Sequence, residues 1–162
     1  MLADRGLPHN VFEIFVRAPE RELEVAELPG CGRAAILAQY IDDWIIYWLG
    51  LADGSIWMTK GDPGQPAENI EKINTTVTGL QKVLAAWCDL KSSGITENND
   101  PRAYEDLVAV TNIRAVSADP AIFEDEQGWW PVMLEELDYT LPRLQSGRWV
   151  LDHPGYDEDD ES

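Results

Sequence analysis

Histidine and cysteine are almost missing from this chain, with two of each in 162 residues. Cys31 and Cys88 cannot make a disulfide framework, and neither lies in a metal-ligand spacing. His9 falls in an expected turn and His153 close to the C-terminal end. Neither stands beside a serine or cysteine in a known nucleophile arrangement. No G-x-S-x-G elbow, Walker-type glycine loop or paired-glycine dinucleotide fingerprint occurs. Gly61-Asp62-Pro63-Gly64 has the outline of a phosphate loop, but proline removes N–H donors and no lysine follows, so it reads as a plain loop. No catalytic, cofactor-binding or metal-binding residue is therefore expected.

Basic residues are scarce as well: 12 against 30 acids, a formal net charge of −18. Residues 1–92 hold 13 acids and 8 bases, net −5, and residues 93–162 hold 17 and 4, net −13. Phosphate binding needs a cationic footprint, so nucleic acid is excluded as a partner, and anionic membrane surfaces repel such a chain. A basic protein would be attracted, because complementary fields speed encounter. The alternative is that acidity only confers solubility. Long apolar runs are absent too. The longest, Trp44 to Leu51, is too short to span a bilayer. MLADRGLPHN has no cationic region followed by an apolar one, so no signal peptide is read and a reduced, cytoplasmic protein is expected.

What the chain does have is 44% apolar residues, seven of them tryptophan. That suffices for one folded domain. VFEIFV (11–16) reads as a strand, being β-branched and aromatic. RELEVAEL (21–28) reads as a half-exposed strand with Leu23, Val25 and Leu28 as candidate inward residues. AAILAQY (34–40) is ambiguous between strand and helix and is read as a strand. WIIYWLG (44–50) has the continuous apolar character of a central strand covered on both faces. Ala52-Asp53-Gly54 supplies hairpin-turn chemistry, and SIWMTK (55–60) returns. Asn74-Thr75-Thr76 opens a helix whose Val77, Leu80, Val83, Leu84 and Trp87 share one face, with Gly94 as a left-handed cap beyond its end. Asp100-Pro101 opens a second helix, with Tyr104, Leu107, Val108 and Thr111 on one stripe. A last helical face runs through Trp130, Met133, Leu134 and Leu137. Arg148 to Asp152 is a short strand or a docked extension that Trp149 could pin. Residues 153–162 form an acidic tail too polar to bury, expected to be disordered. Strands first and helices after predict an α+β single domain over residues 1–152, with a mainly antiparallel sheet from the N-terminal half and helices packed against it.

Trp129-Trp130, set among Asp119, Glu124, Asp125, Glu126, Glu135 and Glu136, pose the central question. A helix beginning there turns Trp130 inward and Trp129 aside. Trp130 is then packing, and Trp129 a candidate surface anchor ringed by acids. Trp44, Trp48 and Trp57 read as core and near-core rings of the hairpin. Thirty carboxylates make chance acid–base pairs certain, so no pair carries weight. The tail lacks the spacing and central glycine of a calcium loop.

These motifs resemble the SUKH-4 group of the SUKH superfamily. The likeness rests on IIYWLGLADGSIWMTKGDPGQP followed by IEKINTTVTGLQKVLAAW, with the Asp53-Gly54 turn and Asn74-Thr75-Thr76 at a helix start. It continues in DPAIFEDEQGWWPVMLEEL, where Asp119, Pro120, Trp129, Trp130, Leu134, Glu135, Glu136 and Leu137 fall on the group's D-P…W-W…L-E-E-L pattern. The likeness covers roughly residues 5–140, and it departs at Ala52 in the turn and in the acidic tail. It implies an immunity protein that binds and neutralises a bacterial polymorphic toxin. We expect a basic nuclease- or deaminase-type toxin domain, occluded by a surface containing Asp42, Asp43, Glu124, Asp125, Glu126 and Trp129, with the tail aiding encounter. Two other readings are an interaction or regulatory module without a toxin partner, and an enzyme. An enzyme would show a pocket holding a carboxylate of raised pKa.

Overall fold

In a computed structural model of the chain, the structure describes residues 7–12, 14–17, 21, 24–40, 44–61, 69–139, 142–145 and 148–151. Its first strands are β1 (Asn10–Val11) and β2 (Phe15–Val16). They pair antiparallel across a tight reversal that places Phe12 at φ +42°. This corrects the expectation of one straight strand over residues 11–16. A straight strand would put Ile14 on the face opposite Val11 and Phe15. The reversal buries all three, at 4%, 2% and 0% exposure, and leaves Phe12 outside.

β3 (Val25–Leu28) and β4 (Gly32–Gln39) form a hairpin. Inward residues are Ala26 and Leu28, while Val25 is 48% exposed. Val25 and Leu28 are three residues apart and cannot share a face of a period-2 strand; Leu23 lies outside the described residues. β5 (Ile45–Gly50) and β6 (Ile56–Lys60) are the central hairpin, closed by the turn in which Gly54 takes φ +73°. Trp44 precedes β5 and is 47% exposed, not core as expected. β7 (Asn69–Asn74) completes a sheet ordered β1-β2-β4-β5-β6-β7, with β3 also paired to β4. This strand went unread in the sequence because NIEKIN has only two apolar residues in six.

β5 alternates as its neighbours require. Ile45 and Tyr47 face the main core, Ile46 and Trp48 the opposite face. A bulge at Leu37 shifts the β4–β5 register, so Ile36 lies with Trp48 and Ala38 with Tyr47. That bulge bends β4 and curls the sheet.

The helices cover the main face. α1 (Val77–Ser92) buries Leu80, Val83, Leu84, Trp87 and Leu90, capped by Thr76, whose Oγ1 accepts the Gly79 N–H at 3.0 Å. Gly94 takes the left-handed conformation beyond its end. α2 (Pro101–Ala118) starts as expected, with Asp100 Oδ1 accepting the Ala103 N–H at 3.1 Å. It buries Tyr104, Val108, Thr111 and Ala115. A 3-10 turn (Pro120–Phe123) then leads to α3 (Trp129–Tyr139), which buries Trp129, Trp130, Met133 and Leu134. β8 (Pro142–Gln145) and β9 (Arg148–Leu151) pair as a separate two-stranded ribbon. The acidic tail lies outside the described residues. The architecture is the α+β domain that the order of elements predicted, an antiparallel sheet from the N-terminal half with three helices against it.

Candidate partner-binding surface

Two short motifs meet in a buried polar lock. Asp119 is 3% exposed and Asn74 fully buried. The Asp119 carboxylate accepts the Thr75 backbone N–H at 2.7 Å, the Thr75 hydroxyl at 2.8 Å and the Asn74 side-chain amide at 3.1 Å. Asn74 Oδ1 in turn accepts the Trp130 indole N–H at 2.9 Å. Each polar atom named here has a partner, as burial demands. A Cβ added to Gly79 would stand 2.7 Å from Asp119 Oδ2, so only glycine lets α1 pass this close. These residues join β7, α1 and α3; they are the joint of the fold, not an open site.

That joint fixes the turn before α3. Glu71 on β7 accepts the Trp129 backbone N–H at 2.6 Å, capping the helix from another element. Asp125 holds the turn itself. Its carbonyl accepts the Gly128 N–H at 3.0 Å and its carboxylate the Gln127 N–H at 3.0 Å. A Cβ on Gly128 would meet the Asp125 carbonyl at 3.0 Å and Glu71 Oε1 at 3.3 Å, so any larger residue would press on both. Glu124, Asp125 and Glu126 stand exposed on this turn.

Trp129 lies beneath them, and the expectation of a surface anchor is corrected: it is 8% exposed. Its ring meets Tyr40 edge-on at 6.5 Å and Trp130 at 6.3 Å, and Lys60 Nζ sits 5.0 Å from its centroid. Helical periodicity turned Trp129 away from α3's own stripe but could not show that Tyr40, just after β4, and Lys60 of β6 cover that side. Burial pushes the Tyr47 phenol far above its ordinary range, the nearby Tyr40 adds to this, and the Trp129 indole N–H acts against it. That N–H nevertheless has no acceptor in hydrogen-bond geometry. Tyr47 itself donates to the Ile14 carbonyl at 2.5 Å.

The structure brings the acidic turn to one end of the sheet. β5 enters there at Ile45, opposite Lys60, which is itself opposite Asn69 where β7 begins. Asp42 and Asp43 lie outside the described residues. Their flanks are joined at this same end, where Tyr40 N–H donates to the Ile45 carbonyl at 2.9 Å. Exposed Trp44 is here as well, its carbonyl accepting the Gly61 N–H at 3.0 Å. Sequence reading missed Glu71 and the exposure of Trp44. The acids beside each tryptophan, Asp42-Asp43 before Trp44 and Glu124 to Glu126 before Trp129, were the available signal, and burial alone decides which ring is outside.

The opposite face of the sheet holds a smaller apolar cluster of Leu28, Ala34, Ile36 and Trp48, with Trp57 and Cys31 against it. Its indoles are satisfied: Trp48 donates to Thr59 at 2.9 Å and Trp57 to Ser55 at 2.7 Å. Hydrogen bonds from the Ser55 hydroxyl and N–H hold Asp53 below the usual carboxylate range, the reverse of what a general acid needs. Burial, then the Asp53 charge, pushes the Cys31 thiol up, away from nucleophile character. Among the described residues, no group of three or more His, Cys, Asp or Glu side chains is placed to hold a metal ion, and no helix is long and apolar enough to cross a membrane.

Neither the curated proteins nor the solved structures offer a significant match to the chain. The sequence model of the SUKH-4 immunity protein family matches residues 1–136. With that span, the lock between Asn74-Thr75 and Asp119 and the paired tryptophans of α3, the chain belongs to the SUKH-4 immunity protein family.

Proposed function

We propose that this immunity protein neutralises its cognate toxin by covering a basic catalytic cleft with the acidic end of its sheet, in the cytoplasm of the bacterium that makes it. The toxin on this reading is a nuclease- or deaminase-type domain, and the acids take the place of substrate phosphates. The observation that carries it is the turn of Glu124, Asp125 and Glu126, exposed and contiguous yet held by Glu71 and by Asp125's own hydrogen bonds. A charged surface that is already ordered loses little entropy on binding and keeps its field aimed. Asp42 and Asp43, which lie in sequence between β4 and β5, are assigned to the same interface, and Trp44 takes the aromatic role first given to Trp129. The net charge of −18 supports a basic partner and no nucleic acid or membrane.

The test uses the toxin domain encoded beside this chain's gene, catalytically inactivated for binding and active for inhibition. The wild-type chain should bind it one to one and abolish its activity. Charge reversal of Glu124, Asp125 and Glu126 together should slow association at least about tenfold at low salt, with a smaller loss at high salt. Failure of the wild-type chain to bind or inhibit ends this reading. Unchanged association by the reversed variant removes these acids from the interface.

A further inference from the structure

α2 has two apolar faces, and the core uses only one. Tyr104, Val108, Thr111 and Ala115 are buried at 5% exposure or less. Val110, Ile113 and Val116 are 50%, 66% and 42% exposed. At about 100° per residue, Ile113 lies on the side of the helix directly opposite Tyr104, with Val110 and Val116 to either side of it. A helix at the surface of a domain ordinarily turns polar residues to solvent. β-Branched side chains are also poorer helix formers than the straight-chain residues that would serve there. Local helix stability therefore does not account for three of them in a row. Phe12, Val25, Trp44 and Leu51 are exposed too, but they do not form such a stripe.

We propose that this stripe is the apolar centre of the surface that meets the basic toxin domain; the inference rests on the immunity reading above and names a second part of the same interface. The choice of occupant follows from charge. Glu105 and Asp106 border the stripe as exposed acids, Arg102 at its N-terminal end is an exposed base, and Arg114 beside it is paired with Asp89 at 2.7 Å, which leaves the border net acidic. A second copy of the chain would bring another −18 against these acids, whereas a basic protein brings the opposite sign. Continuity points the same way. From Val116 the chain passes Asp119, locked to Thr75 and Asn74, then the 3-10 turn, and reaches Glu124 to Glu126. The apolar stripe and the acidic turn are thus held in one fixed relation by the Asp119 lock.

The test compares wild type, Ile113→Asp and Val110→Ser/Ile113→Ser against the same inactivated toxin domain by calorimetry, with melting curves and light scattering on each chain alone. Both variants should melt as the wild type does, bind at least about tenfold more weakly, and keep the wild-type salt dependence. Should Ile113→Asp melt early, the serine pair decides. A wild type that binds while both variants stay within about twofold of it overturns the stripe and leaves the immunity reading standing. A wild type that does not bind overturns both. A wild-type dimer that Ile113→Asp converts to monomer assigns the stripe to self-association and overturns the proposal.

Discussion

Glu71 Oε1 accepts the backbone N–H of Trp129 at 2.6 Å, so a side chain on β7 caps a helix that begins 58 residues later. Helix starts leave four such donors unsatisfied, and a carboxylate there also meets the positive end of the helix dipole. Glu71→Ala should lower stability by about 1–2 kcal/mol and Glu71→Gln by about half that. Denaturant titration of the three chains checks the order. Equal midpoints would mean the cap contributes nothing.

Asp119→Ala leaves the buried Asn74 amide and the part-buried Thr75 N–H without their acceptor. The expected loss is about 3–5 kcal/mol, close to the whole stability of a marginal domain. Gly79→Ala tests the same lock from the other side. Alanine favours a helix by about 1 kcal/mol over glycine, but its Cβ would sit 2.7 Å from a carboxylate held by three hydrogen bonds. The overlap should win, for a net loss of about 1–3 kcal/mol. A Gly79→Ala chain as stable as wild type would show that the lock yields easily.

The two tryptophans should behave oppositely on truncation. Trp129→Ala empties a packed site between Tyr40, Lys60 and Trp130 and should cost about 3–5 kcal/mol. Trp44→Ala, at 47% exposure, should cost about 1 kcal/mol or less and act instead on toxin binding. Melting temperatures of the two variants separate the roles, and similar losses would contradict the burial assignment.

Asp53 should titrate below an ordinary aspartate, and Ser55→Ala should move it back up. A depressed folded pKa means a contribution to stability that is full above the unfolded carboxylate pKa, about 3.9, and lost as pH falls through the folded value. Asp53→Asn should therefore flatten the acid limb of the stability curve without changing its level slope near neutral pH. Carboxyl carbon shifts against pH, with urea midpoints at each pH, test both statements. An unchanged acid limb would refute the second.

Much of the fold is legible in local pattern. The continuous apolar run at residues 45–50, the Asp53-Gly54 turn, the Asp100-Pro101 start and the stripe of α1 need only neighbours in sequence to be recognised. The surface was less legible. β7 hides because an edge strand of polar residues has no alternation to read. Residues 11–16 look like one strand because propensity cannot register the reversal at Phe12. α2's outer valine and isoleucine residues were in plain view, but a stripe search stops at the first apolar face it finds.

The sequence by itself determined the strands-then-helices order, the excess of acid in the C-terminal half, the caps, and the motifs that mark the SUKH-4 family. Those properties depend on residues a few positions apart or on composition. Only the tertiary structure decided that Trp129 is inside and Trp44 outside, that Asp119 ties down Asn74 and Thr75, and that Glu71 aims the acidic turn. Each of those depends on partners tens of residues distant. Periodicity reports how one element divides its own faces, and it says nothing of which other elements come to cover them.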